Sequence, residues 1–303
     1  MTPTGRECAG RSMRAPHRSF ALKPKGVMMT GFSFHPIADR LRTVTRKVAN
    51  YGRRLHQVRY WPELGRRLRR KLRAEPIGNV ERELARTYCE RNCVPAVSAF
   101  QKFGFPSALL RSFQNEHPDV LLRARTATAD ASQTMGGGAE LDLLYSLVQA
   151  TEARRVVETG VALGWSSLAI LSAIAQRRDA ILVSVDLPYL SQNTDHLVGL
   201  AVPVQLRKSW TLIRSADREG LPKALALASP VDFAHYDSDK SYEGRLWSYD
   251  KLWSALRPGG VLMWDDISDN MAFADFCASA GRTPIIVQSQ QEYKFIGLIK
   301  KPL

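Results

Sequence analysis

The chain has 303 residues, 45% of them apolar, long enough to bury a full core as one large domain with an appendage or as two domains. Its formal charge of +14 is unevenly placed: residues 1–75 hold 19 of the 43 Lys and Arg against Glu7, Asp39, Glu63 and Glu75, a net +15, and the remainder is close to neutral. No apolar run approaches transmembrane length, the N-terminus lacks the apolar core of a secretory signal, and Cys8, Cys89, Cys93 and Cys277 form neither a disulfide framework nor a zinc site.

Residues 1–35 read as a disordered basic leader, within which the tandem Met28 and Met29 offer a second start for translation. Residues 36–130 read as a basic helical region. The apolar positions Ile37, Leu41, Val44, Val48, Tyr51, Leu55 and Val58 step by fours and threes and mark one helix stripe, ended before Pro62. Leu64, Leu68 and Leu72 continue it among Arg66, Arg67, Arg69, Arg70, Lys71 and Arg73. Such a helix either docks its stripe on its own domain or lies on a polyanion or an anionic membrane surface through residues 36–73. Further helices follow over 79–125, broken at Pro95 and Pro106.

From about residue 131 the pattern changes to that of a third region, 131–303. Strand-like runs at 154–158, 180–186, 211–215, 231–237 and 260–265 alternate with helix-length segments, predicting a doubly wound, mostly parallel α/β sheet. Pro284–Val287 and Tyr293–Lys300, separated by a short polar turn, predict an antiparallel hairpin at the end.

Residues 156–167 carry the most information. Two valines end in Glu158, and Gly160 and Gly164 turn the chain into the apolar helix that begins near Leu168. The turn is placed where open α/β sheets bind ligands, but its spacing is E-x-G-x-x-x-G and not the G-x-G-x-x-G of a dinucleotide site. An acid there repels a diphosphate, which counts against a nicotinamide-dependent oxidoreductase. A cofactor with a cation and no phosphate fits better, and S-adenosylmethionine is one. Asp186, ending the second strand at Rossmann spacing, is placed to bind ribose hydroxyls. The third strand ends at Ser215-Ala216-Asp217, the fourth brings Asp237, Asp239 and Lys240, and the fifth brings Asp265 and Asp266 to the same edge. Each acid alone reads as a helix cap. Asp237, Asp265 and Asp266 together would repel one another unless a hard divalent cation such as Mg²⁺ relieved them. His235, inside the fourth strand, reads as a core histidine.

With these residues in place, 134–300 resembles a class I S-adenosylmethionine-dependent methyltransferase. The likeness is to the small metal-dependent O-methyltransferases of the catechol and caffeoyl-CoA type and the related bacterial sugar and natural-product branch. The resemblance implies a seven-stranded Rossmann-like sheet. It places Met135 and Gly136, with Gly137 and Gly138, over the methionine end of the cofactor, and Glu158, Gly160, Gly164 and Ser166 in the first motif. It puts Asp186 at the ribose, Ala216 and Asp217 on the adenine side, Asp237 and Asp239 at the cofactor, and the divalent ion on Asp237, Asp265 and Asp266. Leu256-Arg257-Pro258-Gly259-Gly260 is a further family-like turn. Asp266 departs from the Asn of the catechol group, and Lys240 departs from the His of many sugar enzymes.

The reading that follows is O-methylation of a small-molecule or sugar hydroxyl, with Lys240 and Asp237 as candidate catalytic residues. The protein is expected to be cytoplasmic, peripheral to a membrane at most, free of nucleic acid and able to form a homodimer. A metal-independent methyltransferase and a non-catalytic basic adaptor with a methyltransferase-like domain remain as alternatives.

Overall fold

The computed structural model describes residues 58–72, 79–131, 135, 140–187, 194–289 and 294–303. All of them belong to one unit. The helix stripe expected over 37–57, the leader, Cys8 and Gly136 lie outside the described residues.

The parallel strands form because each is a short, largely β-branched or apolar run. They are β2 (Arg155–Thr159), β3 (Ile181–Val185), β4 (Trp210–Ile213), β5 (Val231–Tyr236) and β6 (Leu256–Trp264). Of these, β2, β3, β5 and β6 are buried on both faces, while the edge strand β4 is only half-buried. The hairpin β7 (Ile285–Gln288) and β8 (Phe295–Lys300) closes the sheet, β8 running antiparallel to both β6 and β7. With β1 (Cys93–Val94), the strand order is β1-β7-β8-β6-β5-β2-β3-β4. The expected seven strands are thus joined by an eighth, β1, only Cys93–Val94, which pairs parallel with β7 at the sheet edge. Two residues are too few to show as a period in the sequence. They also tie the helical N-terminal region into the same sheet. Leu256–Gly260, expected as a turn before the strand, is its bulged first half, with Gly259 at φ +75°.

The period of two divides the core between the faces. Val156, Leu182, Phe233, Val261 and Met263 pack on one side against α6 (Leu141–Ala150) and α7 (Trp165–Ile174). Val157, Ala234, Tyr236, Leu262 and Trp264 pack on the other against α8 (Asp217–Ala228), α9 (Tyr242–Ala255) and α10 (Ala272–Ser279). The region before β2 supplies α1 (Trp61–Leu72), α2 (Asn79–Asn92), α3 (Ala96–Lys102), α4 (Phe113–Glu116) and α5 (Pro118–Thr128). Pro62 sits in the first turn of α1, where its missing N–H costs nothing.

The side of α1 that docks is its charged one. Glu63 is buried and Arg66 and Arg70 half-buried, while Leu68 is 59% exposed. The leucine period therefore misstates which side of this helix faces inward. Guanidinium–carboxylate pairing replaces apolar packing there, and the partners are far away in sequence.

Phe273 is buried against Trp264, with ring centroids 5.1 Å apart, and lies over Gly297, where a Cβ would come 2.4 Å from the ring. Phe273→Ala empties that space and is expected to cost about 3–5 kcal/mol, read as a lowered urea midpoint. An unchanged midpoint would show that the hairpin side of the core collapses to fill the void.

Candidate active site

The turn after β2 and the loop after β5 are built against each other. Asp237 N donates to Thr159 O at 2.8 Å, and a Cβ on Gly160 would lie 2.1 Å from the Asp237 carbonyl oxygen. Gly160 (φ +82°) and Gly164 (φ +91°) are both in the left-handed region that favours glycine. A Cβ on Gly164 would come 2.8 Å from Gly199 Cα. What stands against each is mainly backbone of another loop, because neighbouring strands deliver their loops to one edge.

Glu158 lies at the centre of the sheet and is fully buried. Its Oε1 accepts from Ser166 Oγ at 2.6 Å, and its Oε2 from Ser167 Oγ at 2.6 Å and Ser184 Oγ at 2.7 Å. His235 Nδ1 stands 3.8 Å from Oε1 on the opposite side. A carboxylate removed from water needs such donors. Of the three hydroxyls, only that of Ser166 belongs to a half-buried residue; Ser167 and Ser184 are buried.

Asp186, ending β3, is 5% exposed. Its Oδ1 accepts from Val161 N at 2.9 Å and Ala162 N at 3.3 Å, fixing the glycine turn, while Oδ2 pairs closely with Arg214. Burial pushes the Asp186 carboxyl up against the pull of Arg214 and the two amides. Ala216 is the N-cap of α8, and Asp217 opens that helix. Ser238 Oγ lies within hydrogen-bond reach of both Asp217 Oδ2 and Thr159 Oγ1 (2.9 Å), and burial raises Asp217 to about 7. Met135 is buried with Leu163 and Leu197 beside the turn.

Asp237, Lys240 and Asp266 meet. Lys240 Nζ pairs with Asp237 Oδ1 and lies 2.9 Å from Asp266 Oδ2, while Lys294 Nζ is 3.4 Å from Asp266 Oδ1. Burial would lower Lys240, but Asp237 and Asp266 outweigh it and hold the lysine above its ordinary value. Lys240 is therefore an ammonium and a poor candidate for a base. Burial, with Asp265 and Asp266 nearby, pushes Asp237 up to about 6 despite the pull of Lys240. Asp266 is held below its usual range, Lys240 prevailing over burial. Asp265 turns toward the sheet, with Oδ2 3.8 Å from His235 Nε2 and Oδ1 without a hydrogen-bond partner. His235 is thus a core histidine, as expected, but a flanked one: burial would lower it, yet Asp265 and Glu158 raise it to about 10.

Asp237, Asp265 and Asp266 were expected to hold a divalent ion. Among the described residues no group of three or more His, Cys, Asp or Glu side chains is arranged to hold a metal. The ammonium of Lys240 already stands between two of the three carboxylates, and Asp265 points to His235. A divalent ion and an ammonium on the same oxygens repel each other, so the residues as arranged do not fit the ion. The positive charge those acids require comes from lysine.

Several residues that hold this edge in place left little trace in the sequence. Ser167 and Ser184 look like ordinary small core residues. Arg245 is fully buried, and its Nη2 donates to the Asp266 carbonyl at 2.8 Å and to Asp269 Oδ2 at 3.1 Å, fixing the loop after β6. The adjacent Ser166 and Ser167 at the head of an apolar helix were the one visible hint. The described cysteines, Cys89, Cys93 and Cys277, are free; Cys89 and Cys277 are buried, and burial raises both thiols to about 12.

Residues 157–267 match a family described as a methyltransferase domain. Among solved structures, an O-methyltransferase from Bacillus cereus in complex with SAH is 17% identical, with a TM-score of 0.49 over 64% of this chain and 94% of that one. A provisionally assigned O-methyltransferase from Klebsiella pneumoniae is 17% identical, with a TM-score of 0.50 over 60% and 90%. TomG from Streptomyces achromogenes, an O-methyltransferase involved in tomaymycin synthesis and solved with SAM, is 17% identical, with a TM-score of 0.45 over 60% and 90%. At 17% identity the likeness to the Klebsiella pneumoniae structure speaks to the fold alone. No curated protein matches the chain.

Glu158→Ala would leave three serine hydroxyls without their buried acceptor and His235 without a carboxylate 3.8 Å away. Breaking a buried charged network from one side costs about 3–5 kcal/mol. Urea unfolding should show that loss, with Glu158→Gln losing less; wild-type stability in the alanine variant would remove Glu158 from the centre of the site.

Proposed function

We propose that this chain, whose residues 157–267 match a methyltransferase domain and whose sheet is mostly parallel, is a class I methyltransferase that transfers the methyl group of S-adenosylmethionine to a hydroxyl of a small molecule or sugar. The observation that carries the reading is the meeting of three features at the carboxyl edge of one parallel sheet. They are the glycine turn after β2, the acid ending β3, and an acid–ammonium–acid cluster after β5 and β6.

In this reading the methionine end of the cofactor lies along Met135 and the Gly160–Ser166 turn, where Ser166 presents a hydroxyl steadied by Glu158. Asp186 takes the ribose, Arg214 yielding part of Oδ2 to the diol. Ala216 and Asp217 wall the adenine. Asp217, raised to about 7, stands between the neutral and ionised forms near neutral pH and so can either donate to or accept from the base. Asp237 and Asp239 complete the wall from the β5 side.

The transfer is a displacement in which the acceptor oxygen forms a bond to the methyl carbon as the carbon–sulfur bond breaks. Its electrons return to sulfur, turning the sulfonium into a neutral thioether. Alignment supplies most of the acceleration. The hydroxyl proton goes to Asp237, whose raised pKa suits it to general-base work. Lys240 stays protonated and faces the negative charge that develops on the oxygen. That removes the need for a metal step, and the ammonium between Asp237 and Asp266 supports the metal-independent form of the reaction.

Calorimetry with SAH tests the cofactor site: micromolar binding to the wild type, weakened at least tenfold in Asp186→Ala, is expected. Absence of wild-type binding would remove the reading. Transfer from tritiated S-adenosylmethionine to a panel of phenolic and sugar hydroxyl acceptors tests the reaction. For an acceptor that turns over, a base at Asp237 must be ionised, so activity should fall as pH drops below about 6. Asp237→Asn should lose that limb and about 10²–10⁴-fold in rate. Turnover should persist in EDTA; loss in EDTA restored by Mg²⁺ would return the three carboxylates to a metal.

A further inference from the structure

The charged face of α1 is closed onto the two loops that the preceding reading assigns to the cofactor. Arg66 makes a bidentate pair with Glu219, Nη1 to Oε1 at 2.7 Å and Nη2 to Oε2 at 2.8 Å. Glu219 lies in the first turn of α8, two residues after Asp217. One turn further along α1, Arg70 Nη1 donates to Asp239 Oδ2 at 2.9 Å and Oδ1 at 3.3 Å, and also to Ser241 Oγ. The arginines are held in turn by Glu63, which is buried. Glu63 accepts from Arg66 Nε at 2.9 Å, Arg67 Nε at 2.8 Å and Arg70 Nη2 at 3.2 Å. A carboxylate among three guanidiniums on one helix fixes their rotamers before they meet their distant partners, so little side-chain freedom is lost on docking.

What Arg70 grips is central to the loop after β5. Asp239 Oδ1 also accepts from Ser241 N at 2.9 Å, Ser241 Oγ caps α9 through Gly244 N at 3.2 Å, and the Asp239 carbonyl accepts from Tyr236 Oη at 2.8 Å. Burial would raise the Asp239 carboxyl, but Ser241 N–H and Arg70 hold it below its usual range. On one side of Asp239 is Ser238, which bonds Asp217 and Thr159; on the other is Lys240, which bridges Asp237 and Asp266. The Asp237 backbone is the surface against which Gly160 packs. Fixing Asp239 therefore fixes Ser238 and Asp237, and through them the glycine turn. Arg66 fixes the other wall through Glu219.

We infer that α1 is a strap across the cofactor pocket, with Arg66 and Arg70 as positioning residues that hold the 216–219 and 237–241 loops at the separation S-adenosylmethionine requires. The inference rests on the proposed cofactor site. It assigns the described part of the basic N-terminal region a place in the catalytic machinery rather than on an anionic surface. The near-neutral sheet domain offers no general acidic excess for that basic segment, but it offers two acids where two arginines need them.

The test is SAH calorimetry on the full chain, with thermal unfolding alongside. Arg66→Met and Arg70→Met are each expected to raise the SAH dissociation constant about tenfold. Arg70→Lys should recover part of the loss, and the charge exchange Arg66→Glu with Glu219→Arg should bind more tightly than either single variant. Arg67→Met, which removes a contact to Glu63 alone, should shift the constant less than twofold. Hydrogen exchange should quicken in the 216–220 and 237–245 peptides of the methionine variants while β2 and β3 stay protected. Wild-type affinity in Arg66→Met and Arg70→Met, or an Arg67→Met loss as large as theirs, would overturn the strap. If the wild type itself binds no SAH, the cofactor reading fails instead. If the methionine variants unfold, the lysine variant and the charge exchange decide.

Discussion

A fully buried carboxylate at the middle of a parallel sheet must be given donors, and Glu158 takes them from α7 and β3. Ser166 and Ser167 come from α7, Ser184 from β3, and His235 stands off on β5. Satisfying that one charge fixes the start of α7 relative to β2 and β3, and so the course of the glycine turn between them. The Gly160–Asp237 approach follows, because the loop after β5 has only the space the turn leaves it. Asp186 then pins the far side of the turn through two backbone amides. The cleft edge is thus set by charge satisfaction beneath it as much as by apolar packing.

The same principle recurs around the cleft with opposite outcomes. Where an acid is buried beside a cation, as Asp266 beside Lys240 or Asp239 beside Arg70, the ion is kept. Where burial outweighs the partner, as at Asp217 and Asp237, the pKa climbs toward neutrality. Groups with separated pKa values in one cleft are what proton transfer needs. Asp237 beside an ammonium that stays charged gives one group able to take a proton and one able to face negative charge.

The parallel sheet and its hairpin were legible because strands buried on both faces are written as short apolar runs, and their alternation with helices implies parallel crossover connections. The glycine turn, Asp186 and the acids ending β5 and β6 were legible because they sit at strand ends, where position along the chain dictates position in space. Three features were not. The two-residue strand Cys93–Val94 is too short for periodicity. The cationic partner of Asp237 and Asp266 depends on a side-chain conformation: Lys240 could have faced solvent, and the sequence allowed a divalent ion in its place. The docking of α1 ran against its leucine spacing because Arg66 and Arg70 find partners 153 and 169 residues away, a separation no local pattern carries.

The central claim is that the edge framed by Gly160, Asp186, Asp217 and Asp237 is the cofactor site. A crystal structure of the chain grown with SAH measures this directly. The account predicts density for the adenosyl group between Asp186 and Asp217, with the homocysteine portion along the Gly160–Ser166 turn and its sulfur directed toward Asp237 and Lys240. Density at another place on the molecule, or an SAH-free cleft in crystals that bind SAH elsewhere, would contradict it.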